Sequence, residues 1–440
     1  ARQHGYWGVK KLFYFGGRWG YALRFGKKFI PLPNEHQAKQ HLQSFGVPVV
    51  ANEFECALCD IRTHQYVSYI GEIAGHRLGL HEFNGEQLLV TKGPTIVEAA
   101  PGNGSFISDF IRRLLLIDDD ESQVRNFLAW LARCRECVKS GQRDQSPAVA
   151  IAGSSGCGKS LLIEIVRRCL GGRAANAYPH LSGENRFSDD LVGAELLFVD
   201  DAAASKDHRA RLTLAQNIKS LLFAGSVRVE AKHEGAFNCA PVQALMLAVN
   251  DDPQHLRVLP ELDETMRDKI ILLRSQPDAL PHDMVGQRNL ISEAVDGALP
   301  GFLHGLEQMD FEDQYNPQTG RLRCHWNPVI VEAVEALSPE LRLLELVHQC
   351  PDIANALTTS GEWVGTATQL ESLLVRFGTD TKHAAERLLN WPTACGTYLG
   401  RLSKIDDSGV EAFGHTPETR IRRYRIGRVS STAGGRGGEE

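Results

Sequence analysis

A glycine-rich loop carries the clearest chemistry in this sequence. Residues 152–160 read Ala-Gly-Ser-Ser-Gly-Cys-Gly-Lys-Ser and fit the pattern G-x-x-x-x-G-K-[ST], in which backbone N–H groups at the start of a helix surround the phosphates of a nucleotide. Lys159 can reach the β- and γ-phosphates, and the Ser160 hydroxyl can ligate Mg²⁺. We therefore expect ATP and Mg²⁺ as cofactors. The residues expected to contact them are Gly153, Ser154, Ser155, Gly156, Cys157, Gly158, Lys159 and Ser160.

The segments around this loop predict the strands and helix that such a site needs. Val149–Ala152 is typical of a short buried strand, and Leu161–Leu170 has helical periodicity. A second apolar segment, Glu195–Asp201, ends in two acids. Asp200 is expected to hold Mg²⁺ and Asp201 to polarise the attacking water, because phosphoryl transfer depends on positioning and charge neutralisation.

A third apolar segment, Ala244–Val249, is followed by Asn250, whose amide can orient the attacking water beside the acids. Between the second and third segments, the alternation in Ser226–Lys232 predicts a hairpin with Lys232 and His233 near its tip. A cationic and an aromatic side chain on a protruding hairpin suit the phosphate backbone of a nucleic acid.

The order and compactness of these motifs resemble a superfamily 3 helicase. This is the AAA+ class that includes papillomavirus and polyomavirus replicative helicases, parvovirus initiators and the helicase parts of phage and plasmid primase-helicases. The resemblance implies that Asp200 and Asp201 are the paired acids of the second motif and that Asn250 is the asparagine of the third. It also implies that Lys232 and His233 grip single-stranded DNA in the central channel of a ring, with a hexamer expected.

The sequence departs from this class at one position. Relatives place an arginine finger, which acts on a neighbouring subunit's nucleotide, just before the strand that follows the asparagine motif, and here Lys269 occupies that position. Lysine carries the charge but lacks the forked guanidinium that binds two oxygens at once. We take Arg267 as the expected finger and Lys269 as its alternative. The other candidates that the sequence leaves open are Arg274, Arg257, Arg209 and Arg211.

Composition narrows the class of protein. The 440 residues carry a net charge of −6 and 42% hydrophobic side chains, so the chain can form real cores, and any nucleic-acid contact must come from local basic surfaces. The sequence shows no secretory signal and no apolar run of the length that spans a membrane, and ten scattered cysteines favour a reducing compartment. We expect a cytoplasmic location. Cys56 with Cys59 and Cys134 with Cys137 have spacings compatible with a zinc site, but the helical pattern around the second pair favours ordinary core cysteines over zinc ligands.

The two ends of the sequence predict accessory modules. Basic and aromatic residues alternate between Lys10 and Lys28, which suits either a platform for single strands or a small sheet with a solvated basic edge. Near the carboxyl end, three helical segments and two strand-like segments predict a winged helix, similar to the carboxy-terminal module of the phage and plasmid helicases. Its basic residues Arg401, Arg422 and Arg423 are expected to contact DNA, with protein docking as the alternative use.

The predicted fold class is α/β: a P-loop AAA+ core with an N-terminal mixed α+β domain, a helical collar and a C-terminal winged helix. The predicted boundaries are 1–106 for the accessory domain, 107–145 for the collar, 146–312 for the ATPase core, 313–359 for a helical connector, 360–428 for the winged helix and 429–440 for a disordered tail.

Two functions fit this organisation. The first is an ATP-driven DNA helicase or translocase that works as a ring in the replication of a phage, plasmid or related mobile element. Its expected partners are single-stranded or forked DNA, further copies of the chain and a primase, fused or separate, and we expect no membrane partner. The second function is a replication initiator whose nucleotide cycle controls assembly on DNA without processive unwinding.

Overall fold

The computed structural model divides the chain into two compact units, Ala1–Val334 and Glu335–Glu440. None of the helices in the described part of the chain is long and apolar enough to cross a bilayer. The residues that the structure describes are 11–15, 20–26, 28–47, 50–184, 189–200, 208–230, 236–252, 255–260, 266–281, 284–335, 339–376, 381–404, 408–416 and 420–427.

The first unit begins with an antiparallel meander packed on two helices. Asn34 caps the first helix, since its side chain accepts a hydrogen bond of 2.9 Å from the backbone N–H of Gln37. Phe13 and Tyr21 are almost fully buried, so these rings belong to the core of the meander and are not a surface for stacking bases. The elements are β1 (Leu12–Tyr14), β2 (Tyr21–Phe25), β3 (Lys28–Leu32), α1 (Glu35–Ser44) and α2 (Ala51–His64).

A second small sheet follows, which we call the supporting sheet. Its middle strand is the last of the three in the chain; it pairs in parallel with the strand at residues 69–71 and antiparallel with the strand at residues 79–83. The strands are β4 (Tyr69–Gly71), β5 (Gly79–Phe83) and β6 (Glu86–Val90).

A five-stranded parallel sheet forms the centre of the first unit, in agreement with the predicted α/β class. Its strand order is β13-β7-β12-β9-β8, so β7, which precedes the glycine-rich loop, lies beside β12, and β12 separates it from β9. These strands are almost continuously apolar because helices cover both faces of such a sheet. The elements are β7 (Ala148–Gly153), α5 (Lys159–Cys169), β8 (Ala174–Asn176), α6 (Tyr178–Leu181), α7 (Asp189–Val192), β9 (Leu196–Asp200), α8 (His208–Phe223), β12 (Ala244–Asn250) and β13 (Ile270–Arg274).

The two helices that were expected to bridge into the ATPase core share its hydrophobic core. Phe110 and Leu114 of one helix and Phe127 and Trp130 of the other are buried in the same cluster as Leu162 beside the sheet. The chain then continues through a long helix that contains Pro300 and buries Phe302 and Leu303. These elements are α3 (Ser105–Leu115), α4 (Ser122–Ser140), α9 (Arg288–Gln308) and α10 (Pro328–Glu335).

The hairpin predicted between the second and third motifs is present. Its strands are β10 (Val227–Glu230) and β11 (Ala236–Cys239), which pair antiparallel with Val229 opposite Phe237. The connecting residues 231–235, which include Lys232 and His233, lie outside the described residues. The base of the hairpin is therefore described, whereas its expected DNA-binding residues are not.

In the second unit, the described residues form five helices and a three-stranded antiparallel sheet of order β14-β16-β15. The two strands predicted for the wing pair as expected, and a further strand, which lies before the last three helices, joins them. The last helix of this unit starts at Ala394, after a turn that contains Pro392. The elements are α11 (Pro339–Gln349), α12 (Pro351–Thr359), β14 (Glu362–Thr366), α13 (Ala367–Leu374), α14 (Lys382–Leu388), α15 (Ala394–Leu402), β15 (Val410–His415) and β16 (Arg422–Gly427).

A buried carboxylate joins the supporting sheet to the large sheet. Glu195, just before β9, is fully buried and pairs with Arg173, which also donates to Glu72 at 2.9 Å. The backbone N–H of Gly75 donates to the same Glu195 carboxylate at 3.2 Å. Because the carboxylate is satisfied from both sides, it fixes the loop after β4 against the start of the second-motif strand.

We predict that Glu195→Ala lowers the free energy of unfolding by about 3–5 kcal/mol, because it leaves the Arg173 guanidinium buried without its main partner. Urea denaturation measures this change. The control is Glu55→Ala, which breaks an exposed ion pair with Lys39 and should leave the free energy of unfolding nearly unchanged. Equal losses in the two variants would contradict the role assigned to Glu195.

Candidate active site

Four of the predicted site residues, Lys159, Ser160, Asp200 and Asn250, meet at the carboxyl edge of three neighbouring strands. Gly153 pairs with Asn250 across β7 and β12, and Asp200 pairs with Ala248 across β9 and β12. Each of these strands ends at the same edge because the strands are parallel. The glycine-rich loop, the second-motif acid and the third-motif amide are therefore brought together by strand register alone.

Lys159 lies within the glycine-rich loop and is 5% exposed. Its ammonium donates to the carbonyl oxygens of Gly153 and Ser154, both at 2.8 Å, and to Asn250 Oδ1 at 3.0 Å. The Lys159 ammonium is thus surrounded by three oxygens. Phosphate oxygens could take their place as its hydrogen-bond acceptors. The contact with Asn250 also ties the end of β12 directly to the loop.

Ser160 and Asp200 form the second pair. The Ser160 hydroxyl donates to Asp200 Oδ2 at 2.8 Å, so one hydroxyl oxygen and one carboxylate stand together at the start of α5. Oxygen ligands of this kind are what Mg²⁺ prefers, and magnesium keeps several waters when protein ligands are few. The donor set therefore fits the predicted metal. Asp201 lies outside the described residues.

The loop backbone has the conformation that its glycines allow. Gly156 and Gly158 have φ of +79° and +113°, and Gly158 precedes the first residue of α5. The Phe110 ring of α3 packs where a side chain at Gly158 would point. The N-terminal end of α5 consequently stays open to an anion, which is the usual use of such a terminus.

Ser275 is a site residue that the sequence reasoning missed. It follows β13, and its Oγ lies 3.1 Å from Cys157 Sγ and occupies the space that a Cβ at Gly153 would need. Cys157 is 3% exposed, so its side chain points into the protein from the loop. The position of Ser275, directly after an apolar strand of the parallel sheet, is the signal that could have indicated it.

The candidate fingers lie away from this chain's own loop. Lys269 and Arg267 precede β13, whose first residue, Ile270, pairs with Ala148 at the amino end of β7. The length of β7, six residues at about 3.3 Å each, separates that edge from the glycine-rich loop. Neither cation therefore faces the loop of its own chain. Arg274 lies at the carboxyl edge, and the side chains of Arg209, Arg211 and Arg257 are outside the described part of the chain.

The two leading finger candidates differ in their surroundings. The Lys269 ammonium pairs with Asp268 at 2.6 Å and lies 5.0 Å from the centre of the Phe223 ring. Arg267 is exposed, and its guanidinium lies 5.5 Å from the centre of the Trp326 ring.

In the second unit, the predicted DNA-binding residues differ in their exposure and contacts. Arg422 is exposed on β16, Arg423 lies 5.9 Å from the centre of the Phe413 ring, and Arg401 pairs with Glu340 at 3.4 Å. Arg422 and Arg423 are consecutive strand residues and hence point to opposite faces of the wing.

The cysteine pairs lie on separate helices. Cys56 and Cys59 are exposed on α2, whereas Cys134 and Cys137 are buried on α4, where burial raises the pKa of both thiols. The described residues contain no group of three side chains that could hold a metal ion.

Comparison with known proteins shows the fold. Residues 151–267 match a family of unknown function, DUF5906, and no curated protein matches the chain. An apo structure of the NrS-1 C-terminal region (305–718) has a TM-score of 0.53 and 12% identity, over 97% of this chain and 100% of that one. An A-form apo structure of the same region gives 0.51 and 13%, over 94% and 96%. The chain therefore shares the α/β fold of that region along nearly its whole length.

A structure of JCV helicase with a bound small molecule covers 54% of this chain and 66% of that one, with 13% identity and a TM-score of 0.26. This likeness is too weak to support an argument.

We predict that Gly153→Ala destabilises the fold by about 1–3 kcal/mol, because its methyl group would collide with Ser275 Oγ. Ser275→Ala removes that oxygen. In the double variant the collision is relieved, so a double-mutant cycle measured by urea unfolding should show a favourable coupling of about 1 kcal/mol or more. Strictly additive effects would show that the two residues do not share this space.

Proposed function

We propose that this chain is an ATP-dependent DNA helicase or translocase that works as a ring. The observation that supports it most is the meeting of Lys159, Asn250 and the Ser160–Asp200 pair at one edge of a parallel sheet. A loop that holds phosphate, a magnesium-binding pair and an amide are the parts that nucleotide hydrolysis requires. The shared fold with the NrS-1 C-terminal region is compatible with this proposal.

Each residue has a chemical task in this proposal. Bound MgATP would supply the phosphoryl group and the free energy of its hydrolysis. Lys159 exchanges the carbonyl oxygens of Gly153 and Ser154 for phosphate oxygens, and Ser160 with Asp200 holds the metal. Asn250, already fixed by Lys159, positions water, and Asp201 polarises it.

The placement of the cations supports the proposed ring. Arg267 and Lys269 lie at the sheet edge opposite their own glycine-rich loop, so a cation from this segment serves a nucleotide only when a second copy presents its loop there. A contact between two different surfaces of identical chains closes into a ring if the rotation permits. We take Arg267 as the finger and Lys269 as the alternative.

The proposed path of DNA uses the hairpin and the second unit. Lys232 and His233 contact one strand in the channel, and Arg401, Arg422 and Arg423 bind phosphates near the carboxyl end. The replication of a phage, plasmid or related mobile element is the proposed setting, with a primase as a further partner.

The variant Lys232→Ala decides whether the chain is a motor, meaning a helicase or translocase driven by ATP, or an initiator. We expect the rate of forked-duplex unwinding to fall about tenfold or more, because a strand contact is lost, while ATP binding stays within about twofold of the unsubstituted protein. Lys159→Ala should remove both ATP turnover and unwinding, and Lys39→Ala, on α1, should change neither. If Lys232→Ala unwinds normally, the initiator function becomes the better explanation.

The second unit is tested by the salt dependence of DNA binding. Arg422→Ala and Arg423→Ala should each reduce the slope of log affinity against log salt by about 0.9, because each removes one phosphate contact. Arg376→Ala is the matched control, since this exposed arginine of the same unit lies outside the wing. A slope unchanged in both wing variants would indicate that the wing docks protein instead.

A further inference from the structure

The base of the hairpin rests on the supporting sheet. The ring of Tyr69 in β4 stacks on the ring of Phe237 in β11, with centroids 4.1 Å apart and an angle of 21° between the planes. Both side chains are almost fully buried, at 3% and 1% exposed. Stacking at this distance orients two rings as well as burying them. The hairpin strand that follows the tip is thus held from outside the hairpin.

Backbone contacts reinforce this stack. The N–H of Asn238 in β11 approaches Glu86 Oε2 of β6 at 3.4 Å, and the N–H of Val242 donates to the carbonyl oxygen of Ala74 at 2.9 Å. The N–H of Ala74 donates in turn to Val192 at 2.8 Å. The loop after β4 therefore lies between the end of the hairpin and the approach to β9, and it joins them through hydrogen bonds.

The sequence makes room for the Tyr69 ring. Gly71 lies two positions later on the same face of β4, and a Cβ there would collide with the Tyr69 phenol. The ring is therefore packed between Phe237 and the Gly71 backbone, and its hydroxyl donates to the carbonyl oxygen of Glu72 at 3.2 Å. Any side chain at position 71 would displace it.

We propose that Tyr69 is a positioning residue for the hairpin, and that the supporting sheet is a working part of the proposed motor because it holds the paired strands at the base of the hairpin. This inference rests on the proposed function, because it assigns the hairpin to DNA. In the intact protein, loosening the stack should leave ATP turnover in place and reduce the number of base pairs unwound per ATP hydrolysed. A purely structural role would lower both activities together.

The test compares Tyr69→Leu and Gly71→Ala with two controls. Tyr69→Phe keeps the stack, and Tyr14→Leu makes the same kind of change in β1, where the ring lies 5.1 Å from that of Tyr21 and away from the hairpin. We expect base pairs unwound per ATP to fall about tenfold in the first two variants and to stay within about twofold in the controls. The inference is wrong if Tyr69→Leu unwinds normally, or if its ATP turnover falls in parallel with unwinding.

A second measurement needs no DNA. Hydrogen exchange at the amides of Val229 and Phe237 should be about tenfold faster in Tyr69→Leu than in Tyr14→Leu, because the support of the paired strands is weakened. Equal exchange rates would overturn the positioning role. If the unsubstituted protein does not unwind DNA, the proposed function fails, while the exchange rates still decide whether the supporting sheet holds the hairpin.

Discussion

The contact between Lys159 and Asn250 depends on a single geometric constraint, the common direction of neighbouring strands. Because β7, β12 and β9 run in parallel, the residues that follow each strand arrive at one edge, where the ammonium meets the amide at 3.0 Å and Ser160 meets Asp200 at 2.8 Å. Turning any one of these strands around would place its polar residue at the opposite edge. The chemistry of the site is thus a consequence of sheet topology.

The same sheet also separates the glycine-rich loop from the candidate finger residues of the same chain. The glycine-rich loop follows β7, whereas Arg267 and Lys269 precede β13, so the phosphate-binding group and the candidate finger of one chain face opposite edges. The hairpin leaves the sheet between β9 and β12 and is held by the Tyr69 ring of the supporting sheet. Glu195 links the supporting sheet to the start of β9, so hydrogen bonds and a buried ion pair connect the supporting sheet with the large sheet.

Local patterns predicted much of this arrangement. The strands, the helix after the loop, the hairpin and the paired strands of the second unit all have periodicities set by near neighbours in the sequence. Contacts between distant segments could not be read in that way. Two such contacts surround the glycine-rich loop: Ser275, which follows β13, packs against Gly153, and the Phe110 ring of α3 packs against Gly158. Both contacts depend on how the elements pack together. The helix α9 runs from Arg288 through Pro300, although proline disfavours a helix interior, because its buried face outweighs one missing hydrogen bond.

In the proposed ring, the nucleotide and the finger meet between two copies of the chain. Particle imaging of the protein with a non-hydrolysable ATP analogue, Mg²⁺ and forked DNA tests this most directly. We predict a closed ring in which the analogue's phosphates contact Lys159 of one copy and Arg267 or Lys269 of the next. Single chains, or rings in which neither cation approaches a neighbour's nucleotide, would contradict the account.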